Sequence, residues 1–386
     1  MFDRLAELID GPALRSLLLR RASANGLERE ELDLASRQVG SLNQLPRLLD
    51  TVAKELESRA RYWAELGLQP RARDHYLNAA LWAYYAQLLV PHSPERQASI
   101  YARCVENYRQ AAPYFDHPAE AVEIPYPAGH VQGYLRFPYI EDDSRVPEEV
   151  EEDPACAEGE DQVDQPVYPA EPVPCVILLN SFASSKEELH YAENALLNVG
   201  VATLSFDYPR IATNSEHRLW FLNQEILGNA IYLHLAAHPA IDEERVAMLG
   251  LGLGGALAIN LAILFPARYK AVAALSAPYE LTARAERRLI GARTPLWDLE
   301  LGPRELVAEL APVLSLHQRL QELACPLLVA GGGRDPYITA EETRWIYEEA
   351  ASQDKNLLFC PQASHGLYEM MPSLRHEMAQ WIKQRL

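Results

Sequence analysis

The sequence predicts a doubly wound α/β fold with a mainly parallel β-sheet, preceded by an all-helical unit. Up to about residue 115, apolar residues recur every three or four positions and glycine is scarce, a pattern typical of packed helices. After Pro174, short apolar strands alternate with helical stretches. Strands that are apolar throughout and separated by helices indicate a parallel sheet covered on both faces.

The N-terminal pattern predicts four helices and no repeat of solenoid type. The aromatic segment HYLNAALWAYYAQLL (75–89) is compatible with a wall of a substrate site, but packing inside the helical unit is the favoured interpretation. Prolines 70, 91 and 94 lie near the predicted boundaries. The predicted helices cover residues 1–22, 42–66, 72–90 and 95–112.

The spacing of apolar residues is no longer helical after Val122, and residues 123–138 predict two short strands around a turn at Gly129. We therefore divide the chain into a helical cap domain, 1–118, and an α/β core, 119–386. The predicted strands that follow are 175–181, 201–207, 245–250, 271–276, 326–332 and 356–360. The predicted helices between and after them lie near 186–199, 217–237, 254–264, 339–351 and 372–385, with a further helical excursion after 276.

An acidic, proline-rich tract interrupts the core at residues 141–174. It holds thirteen acids against one base, Arg145, and so carries −12 of the net charge of −19. Such a segment cannot bury itself, which predicts a disordered insertion or solvated loop. Binding of a cationic partner is the less favoured alternative. The rest of the chain is only mildly acidic, so nucleic acid is not an expected partner.

Composition argues against several other classes. The five cysteines form no CxxC or Cys/His cluster, so neither a disulfide framework nor a metal site is expected, and no cofactor is predicted. No uncharged apolar run reaches 18 residues, and the first ten residues carry acids where a secretory signal would not. We therefore expect a soluble, cytoplasmic protein that does not bind membranes.

The segment GLGLGG (250–255) joins a predicted strand to a predicted helix and allows two interpretations. It fits the G-x-G-x-x-G dinucleotide fingerprint, but the next strand ends in AALSAP with no acid for a ribose, and the cluster follows the third strand of the alternating series. It also fits the G-x-S-x-G nucleophile elbow, in which small residues flank a serine at a sharp turn. In that interpretation the position of the serine is occupied by Gly252.

An acid and a histidine follow in the order that a nucleophile elbow requires. Asp335 comes after the strand PLLVAGG, and His365 after the strand NLLFC. Singly, Asp335 is explained as a turn residue before a helix and His365 as one of eleven histidines. Both lie just past the carboxyl ends of predicted strands, where α/β sheets place their sites, so a retained Asp–His pair is favoured.

Together these motifs resemble the α/β-hydrolases of the fermentation–respiration switch esterase type, which include a C–C hydrolase of 2,6-dihydroxypseudooxynicotine and fungal polyketide-shortening hydrolases. The segment at 123–138 resembles the family's entry hairpin, and LLNSFASSKEEL (178–189) its oxyanion loop, including Lys-Glu-Glu at 186–188. The resemblance implies an α/β-hydrolase fold with an N-terminal helical cap. It also implies that Asp335 orients His365 and that the backbone N–H groups of Phe182 and Leu253 form an oxyanion hole.

The chain departs from the family around one implied pocket. Asn180 and Ser181 stand where two glycines are usual, and SFDYPR (205–210), with Tyr208 and Arg210, replaces an Asp-Gly-Pro-Gly turn. These four residues are candidate pocket residues. Four serines lie in the same loops, and each is interpreted as a loop or cap hydroxyl instead of a substitute nucleophile. They are Ser181, Ser184, Ser185 and Ser276.

Glycine at position 252 removes the only atom there able to form an acyl-enzyme, while it adopts positive φ without penalty. Three hypotheses remain. His365, oriented by Asp335, acts as general base on water or on an acidic substrate proton, with a small ester, ketone or polyketide-like molecule as substrate. Alternatively, the protein is a non-catalytic relative that binds a small molecule or a protein partner. In the third, the glycine is an introduced replacement of serine in an ordinary esterase or C–C hydrolase. A homodimer is expected by analogy alone.

Overall fold

The computed structural model describes residues 12–37, 44–90, 93–126, 129–138, 168–181, 184–208, 223–281, 308 and 311–386. Within these ranges the predicted doubly wound fold with an N-terminal helical region is confirmed. None of the described helices combines the length and the apolar character needed to cross a bilayer.

The helical region contains one helix that the sequence did not predict. This helix, Arg29–Arg37, is short and strongly polar, and among its described side chains Leu32 is buried. It contains too few apolar residues for their helical spacing to be recognised in the sequence. The first ten or so residues of the predicted helix 1–22 lie outside the described residues. The helices are α1 (Pro12–Ala24), α2 (Arg29–Arg37), α3 (Leu45–Glu65), α4 (Gln69–Leu88) and α5 (Pro94–Ala111).

Helix α4 is the centre of the helical region. Its aromatic side chains Trp82, Tyr84 and Tyr85 are buried, and they pack in one core with residues of α3 and α5. The aromatic segment therefore packs inside this region, as the favoured interpretation holds. The region ends in a short 3₁₀ turn, Ala112–Tyr114, and the first strand begins at Ala119.

The eight described strands form one sheet in the order β1-β2-β4-β3-β5-β6-β7-β8. Strands β1 and β2 pair antiparallel as a hairpin, and β2 also pairs antiparallel with β4. All the other pairs in the sheet are parallel. The strands are β1 (Ala119–Tyr126), β2 (Gly129–Arg136), β3 (Val173–Leu179), β4 (Ala202–Phe206), β5 (Ile241–Leu251), β6 (Tyr269–Leu275), β7 (Leu327–Gly332) and β8 (Lys355–Cys360).

Helices cover both faces of the sheet, and alternate residues of β3 show this. Ile177 packs in the core with α7 and α8, whereas Val176 packs in the core with α6 and α10. Successive side chains of a strand point to opposite faces, so an all-apolar strand needs two such cores. These helices are α6 (His190–Leu197), α7 (Gln224–Ala236), α8 (Leu253–Leu264), α9 (Ala340–Glu349) and α10 (Met371–Lys383).

Strand β3 begins earlier than the sequence predicted. It starts at Val173 and ends at Leu179, so the last two residues of the predicted acidic insertion belong to the sheet. Pro174 suggested that the strand begins after it, but Val173 pairs with Ile241 of β5, so the strand already includes Val173. The remainder of the prediction for the tract falls mainly on residues 139–167, which lie outside the described residues.

Candidate active site

The bend between β5 and α8 has the backbone of a nucleophile elbow. Gly252 has φ 58° and ψ −123°, between the last residue of β5 and the first of α8. Its amide donates to the carbonyl of Leu275 at the end of β6 (2.8 Å), and its carbonyl accepts from the amide of Gly255 (3.0 Å). The sharp turn therefore persists with glycine at its tip.

The flanking glycines are required by close backbone approach. A Cβ atom on Gly254 would stand 2.1 Å from the carbonyl oxygen of Leu179, and one on Gly250 would stand 2.3 Å from that of Gly254. One on Gly255 would stand 2.9 Å from Cβ of Ala277. The start of α8 is thus pressed against the end of β3, which explains why the small residues of the elbow pattern remain in this sequence.

At Gly252 itself an added Cβ would meet side chains. It would stand 3.8 Å from Nε2 of His365, 3.0 Å from Oγ of Ser181 and 3.3 Å from Cβ of Ser181. The tip of the elbow therefore faces the imidazole that follows β8. Gly252 and His365 are more than a hundred positions apart in the chain, and the candidate site lies between them.

Asp335 and His365 are brought together at the carboxyl edge of the sheet. Nδ1 of His365 lies 2.8 Å from Oδ2 of Asp335, whose side chain is 1 % exposed while that of His365 is 20 % exposed. Oδ1 of Asp335 accepts from the amides of Tyr337 (2.7 Å) and Ile338 (2.9 Å), which fixes the carboxylate. With the carboxylate accepting from Nδ1–H, Nε2 of the neutral ring is an acceptor.

One further residue contacts the imidazole and another binds the backbone next to it, and the sequence did not identify either in this role. The ring of Tyr337 contacts that of His365 edge to face, with centroids 5.0 Å apart. Oγ of the buried Ser276 accepts a hydrogen bond from the amide of Gly366 (3.0 Å). The available signal for Ser276 was its place directly after β6, at the same edge of the sheet as the elbow.

The candidate pocket residues lie at the ends of β3 and β4. Nδ2 of Asn180 donates to the carbonyl of Phe206 (3.3 Å), and the hydroxyl of Tyr208 donates to the carbonyl of Asn180 (2.8 Å). These bonds join the two strand ends, and burial raises the pKa of the Tyr208 hydroxyl. Arg210 and Phe182 lie outside the described residues.

Of the two backbone groups implied for an oxyanion hole, only that of Leu253 is described. Leu253 is the first residue of α8, so its N–H group has no acceptor within the helix. The positive end of the helix dipole is located there as well, and it favours negative charge. The amide of Leu253 can therefore stabilise an anionic oxygen beside Gly252.

The Lys-Glu-Glu run contacts the helical region. Lys186, Glu187 and Glu188 are all buried. Nζ of Lys186 lies 2.7 Å from both Glu187 and Asp207, and Tyr101 of α5 donates to Asp207. The run therefore joins the helices to the loop that carries Ser181.

Glu188 binds residues from two helices of the helical region. Its carboxylate is paired with Arg21 of α1 and accepts from Tyr84 (2.9 Å) and Tyr85 (2.8 Å) of α4. Burial opposes ionisation, but Arg21 and these hydrogen bonds together lower the pKa of Glu188. Glu188 is therefore an ionised, fully paired group in the contact between the helices and the sheet.

Two family models match parts of the sequence. Residues 166–287 match the model of FrsA-like esterases, and residues 230–386 match that of the prolyl oligopeptidase family. The first range includes the loop after β3 and the elbow, and the second includes the elbow, Asp335 and His365. Both matches therefore fall on the sheet and on the elements that form the site.

Individual relatives extend over most of the chain. The 2,6-dihydropseudooxynicotine hydrolase of Paenarthrobacter nicotinovorans is 26% identical over 86% of this chain and 82% of its own. Esterase FrsA of Klebsiella pneumoniae subsp. pneumoniae is 26% identical over 92% of this chain and 84% of its own.

Solved structures share the fold. The 2,6-dihydroxy-pseudo-oxynicotine hydrolase superposes with a TM-score of 0.72 at 24% identity, covering 95% of both chains. AbyA5 superposes with a TM-score of 0.58 at 15% identity, covering 87% of this chain and 92% of its own. The chain is thus an α/β-hydrolase-fold protein, related in sequence to FrsA-like esterases and to the pseudooxynicotine hydrolase.

Proposed function

We propose that this protein is a hydrolase of small-molecule esters or activated ketones that uses water, not a serine, as the nucleophile. His365, oriented by Asp335, is the general base. One observation carries the proposal: Nδ1 of His365 lies 2.8 Å from Asp335, while its Nε2 faces the tip of the elbow, 3.8 Å from where a Cβ atom on Gly252 would stand.

In the proposed reaction the substrate carbonyl lies above Gly252. Nε2 of His365 takes a proton from water as the water oxygen bonds to the carbonyl carbon, and the N–H group of Leu253 stabilises the resulting oxyanion. Collapse of the tetrahedral intermediate breaks the ester C–O bond, and the leaving alkoxide takes the proton from Nε2. A positioned base contributes about 10²–10⁴-fold and an oxyanion donor about 10²–10³-fold, which suffices for an activated substrate.

The φ of Gly252, 58°, suits a glycine at this position. A Cβ atom there would stand 3.0 Å from Oγ and 3.3 Å from Cβ of Ser181, so a serine would require the Ser181 side chain to move by a few tenths of an ångström. The aligned carboxylate and imidazole favour catalysis over binding alone, because binding requires neither group to be oriented.

The test is turnover of p-nitrophenyl butyrate and 1-phenyl-1,3-butanedione by the natural protein, His365→Ala and Asp335→Asn. We expect His365→Ala to reduce kcat by about 10²–10⁴-fold. Asp335→Asn is expected to reduce it as well, because the amide cannot stabilise the imidazolium. His376→Ala removes an exposed histidine and is the matched control. Equal rates for the natural protein and His365→Ala would reject the general-base role, and turnover by neither protein would leave a binding protein.

A further inference from the structure

The loop after β3 brings a hydroxyl close to the tip of the elbow. Ser181 lies two residues past Leu179, and its carbonyl accepts from the amide of Ser184 (2.9 Å), which helps to fix the backbone of Ser181. Its Oγ lies 3.0 Å from the position of a Cβ atom on Gly252. Ser181 therefore occupies space that a side chain at position 252 would need.

The imidazole borders the same space. Nε2 of His365 lies 3.8 Å from the position that a Cβ atom on Gly252 would take, so a hydroxyl and an imidazole nitrogen both line the space directly above Gly252. Both residues are described, and no hydrogen bond joins Oγ of Ser181 to Nε2 of His365 directly.

We propose that Ser181 is a catalytic residue whose hydroxyl holds the attacking water against Nε2 of His365. This inference rests on the proposed general-base hydrolysis and adds the residue that places the water. Position 252, where the elbow pattern has serine, carries no hydroxyl in this chain, and Oγ of Ser181 lies 3.0 Å from the Cβ position at the elbow tip. Ser181 therefore supplies a hydroxyl beside the position where the elbow pattern has one.

The proposed step is balanced without a covalent enzyme intermediate. The water donates one hydrogen bond to Oγ of Ser181 and gives its other proton to Nε2 of His365. Its oxygen lone pair forms the bond to the carbonyl carbon, and the carbonyl electron pair moves to the oxyanion. Ser181 keeps its proton throughout and forms no bond to carbon.

The kinetic test compares Ser181→Ala, Ser181→Thr and the natural protein on p-nitrophenyl butyrate. Loss of one hydrogen bond to the reacting water is expected to lower kcat about tenfold in Ser181→Ala with little change in KM. Ser181→Thr retains the hydroxyl and is expected to recover kcat. Ser58→Ala, which removes an exposed hydroxyl on α3, is the matched control. If Ser181→Ala keeps the natural kcat while His365→Ala loses it, the inference is overturned and the proposed function stands.

The second test needs no substrate and uses a fluorophosphonate probe. Because Ser181 crowds position 252, we expect Ser181→Gly/Gly252→Ser to be labelled at least about tenfold faster than Gly252→Ser alone. The natural protein is expected to remain unlabelled. Equal labelling of the single and double variants would show that Ser181 does not reach the elbow tip. Labelling of the natural protein at Ser181, located by mass spectrometry, would show a nucleophile instead of a water ligand.

Discussion

At the scale of single residues, three glycines differ in backbone conformation and in the space available for a side chain. Gly252 combines a φ of 58° with side-chain neighbours, Gly67 combines a φ of 72° with open space, and Gly254 lies against the backbone of β3. Positive φ is strained for a residue with a Cβ atom, whereas contact with a backbone carbonyl cannot be relieved by a rotamer change. The elbow thus depends on glycine for two different reasons.

Alanine substitutions at these glycines are expected to differ in stability. Gly67→Ala isolates the cost of positive φ, about 1–2 kcal/mol. Gly252→Ala is expected to lower the free energy of unfolding by about 1–3 kcal/mol, because the Ser181 side chain must also move. Gly254→Ala is expected to be the most damaging, because its Cβ atom would stand 2.1 Å from the carbonyl of Leu179. Urea unfolding measures all three. A Gly254→Ala protein as stable as the natural one would contradict the close packing of α8 on β3.

At the scale of secondary-structure elements, the site is assembled by the carboxyl ends of parallel strands. The end of β6 contributes twice: the carbonyl of Leu275 binds the amide of Gly252, and Oγ of Ser276 binds the amide of Gly366. One strand end therefore holds both the elbow and the turn that carries His365. The turn itself relies on Gly366, whose φ is 75°.

Ser276→Ala is expected to lower kcat about tenfold by loosening the His365 turn, with KM little changed. It also leaves the buried amide of Gly366 without its acceptor, a cost in stability of about 1–3 kcal/mol. Steady-state kinetics and urea unfolding separate the two effects. Ser373→Ala, which removes an exposed hydroxyl on α10, is the control. A loss of stability with unchanged kcat would show that Ser276 does not position the base.

At the scale of the whole molecule, buried charges fix the helical region on the sheet. Arg21 of α1 pairs with Glu188, whereas the pair of Arg136 (β2) and Glu193 (α6), 3.2 Å apart and at most 1 % exposed, lies within the α/β region. Buried ion pairs contribute little net stability, but breaking one is costly, so they favour a single docking geometry. That geometry places the loop carrying Ser181.

The same contact predicts a pH-dependent stability. His190 is buried between Tyr108 (3.2 Å) and Asn194 (3.2 Å), and burial together with the charge of Arg136 lowers its pKa well below 6.5. Below pH 6.5 the unfolded chain binds a proton that the native protein does not, so the free energy of unfolding falls as the pH falls. This contribution of His190 is expected to approach about 1.4 kcal/mol per pH unit.

Urea unfolding at a series of pH values from about 7 to about 5 measures this slope. His190→Asn is expected to flatten it, whatever its effect on stability at neutral pH. His376→Asn, at an exposed histidine, should leave the slope unchanged. An equal slope in the natural protein and His190→Asn would assign the acid sensitivity to other groups.

Much of the fold could be predicted because the sequence patterns that indicate strands, helices and turns involve residues close together in the chain. Hydrophobic periodicity identified every described strand to within a few residues, and the glycines at 250–255 identified the bend. The early start of β3 at Val173 and the helix Arg29–Arg37 were missed, since a ladder to a distant strand and a short polar helix leave little periodic signal.

By itself the sequence determined the doubly wound architecture, the glycine at position 252 and the chain order of Asp335 and His365. Only the tertiary structure decided that these two side chains meet at 2.8 Å, that Ser181 faces Gly252, and that Lys186–Glu188 bind the helical region. The physical reason is that strand and turn patterns arise between neighbouring residues, whereas each of these contacts joins segments far apart in the chain. Their distances are set by how the helices pack on the sheet.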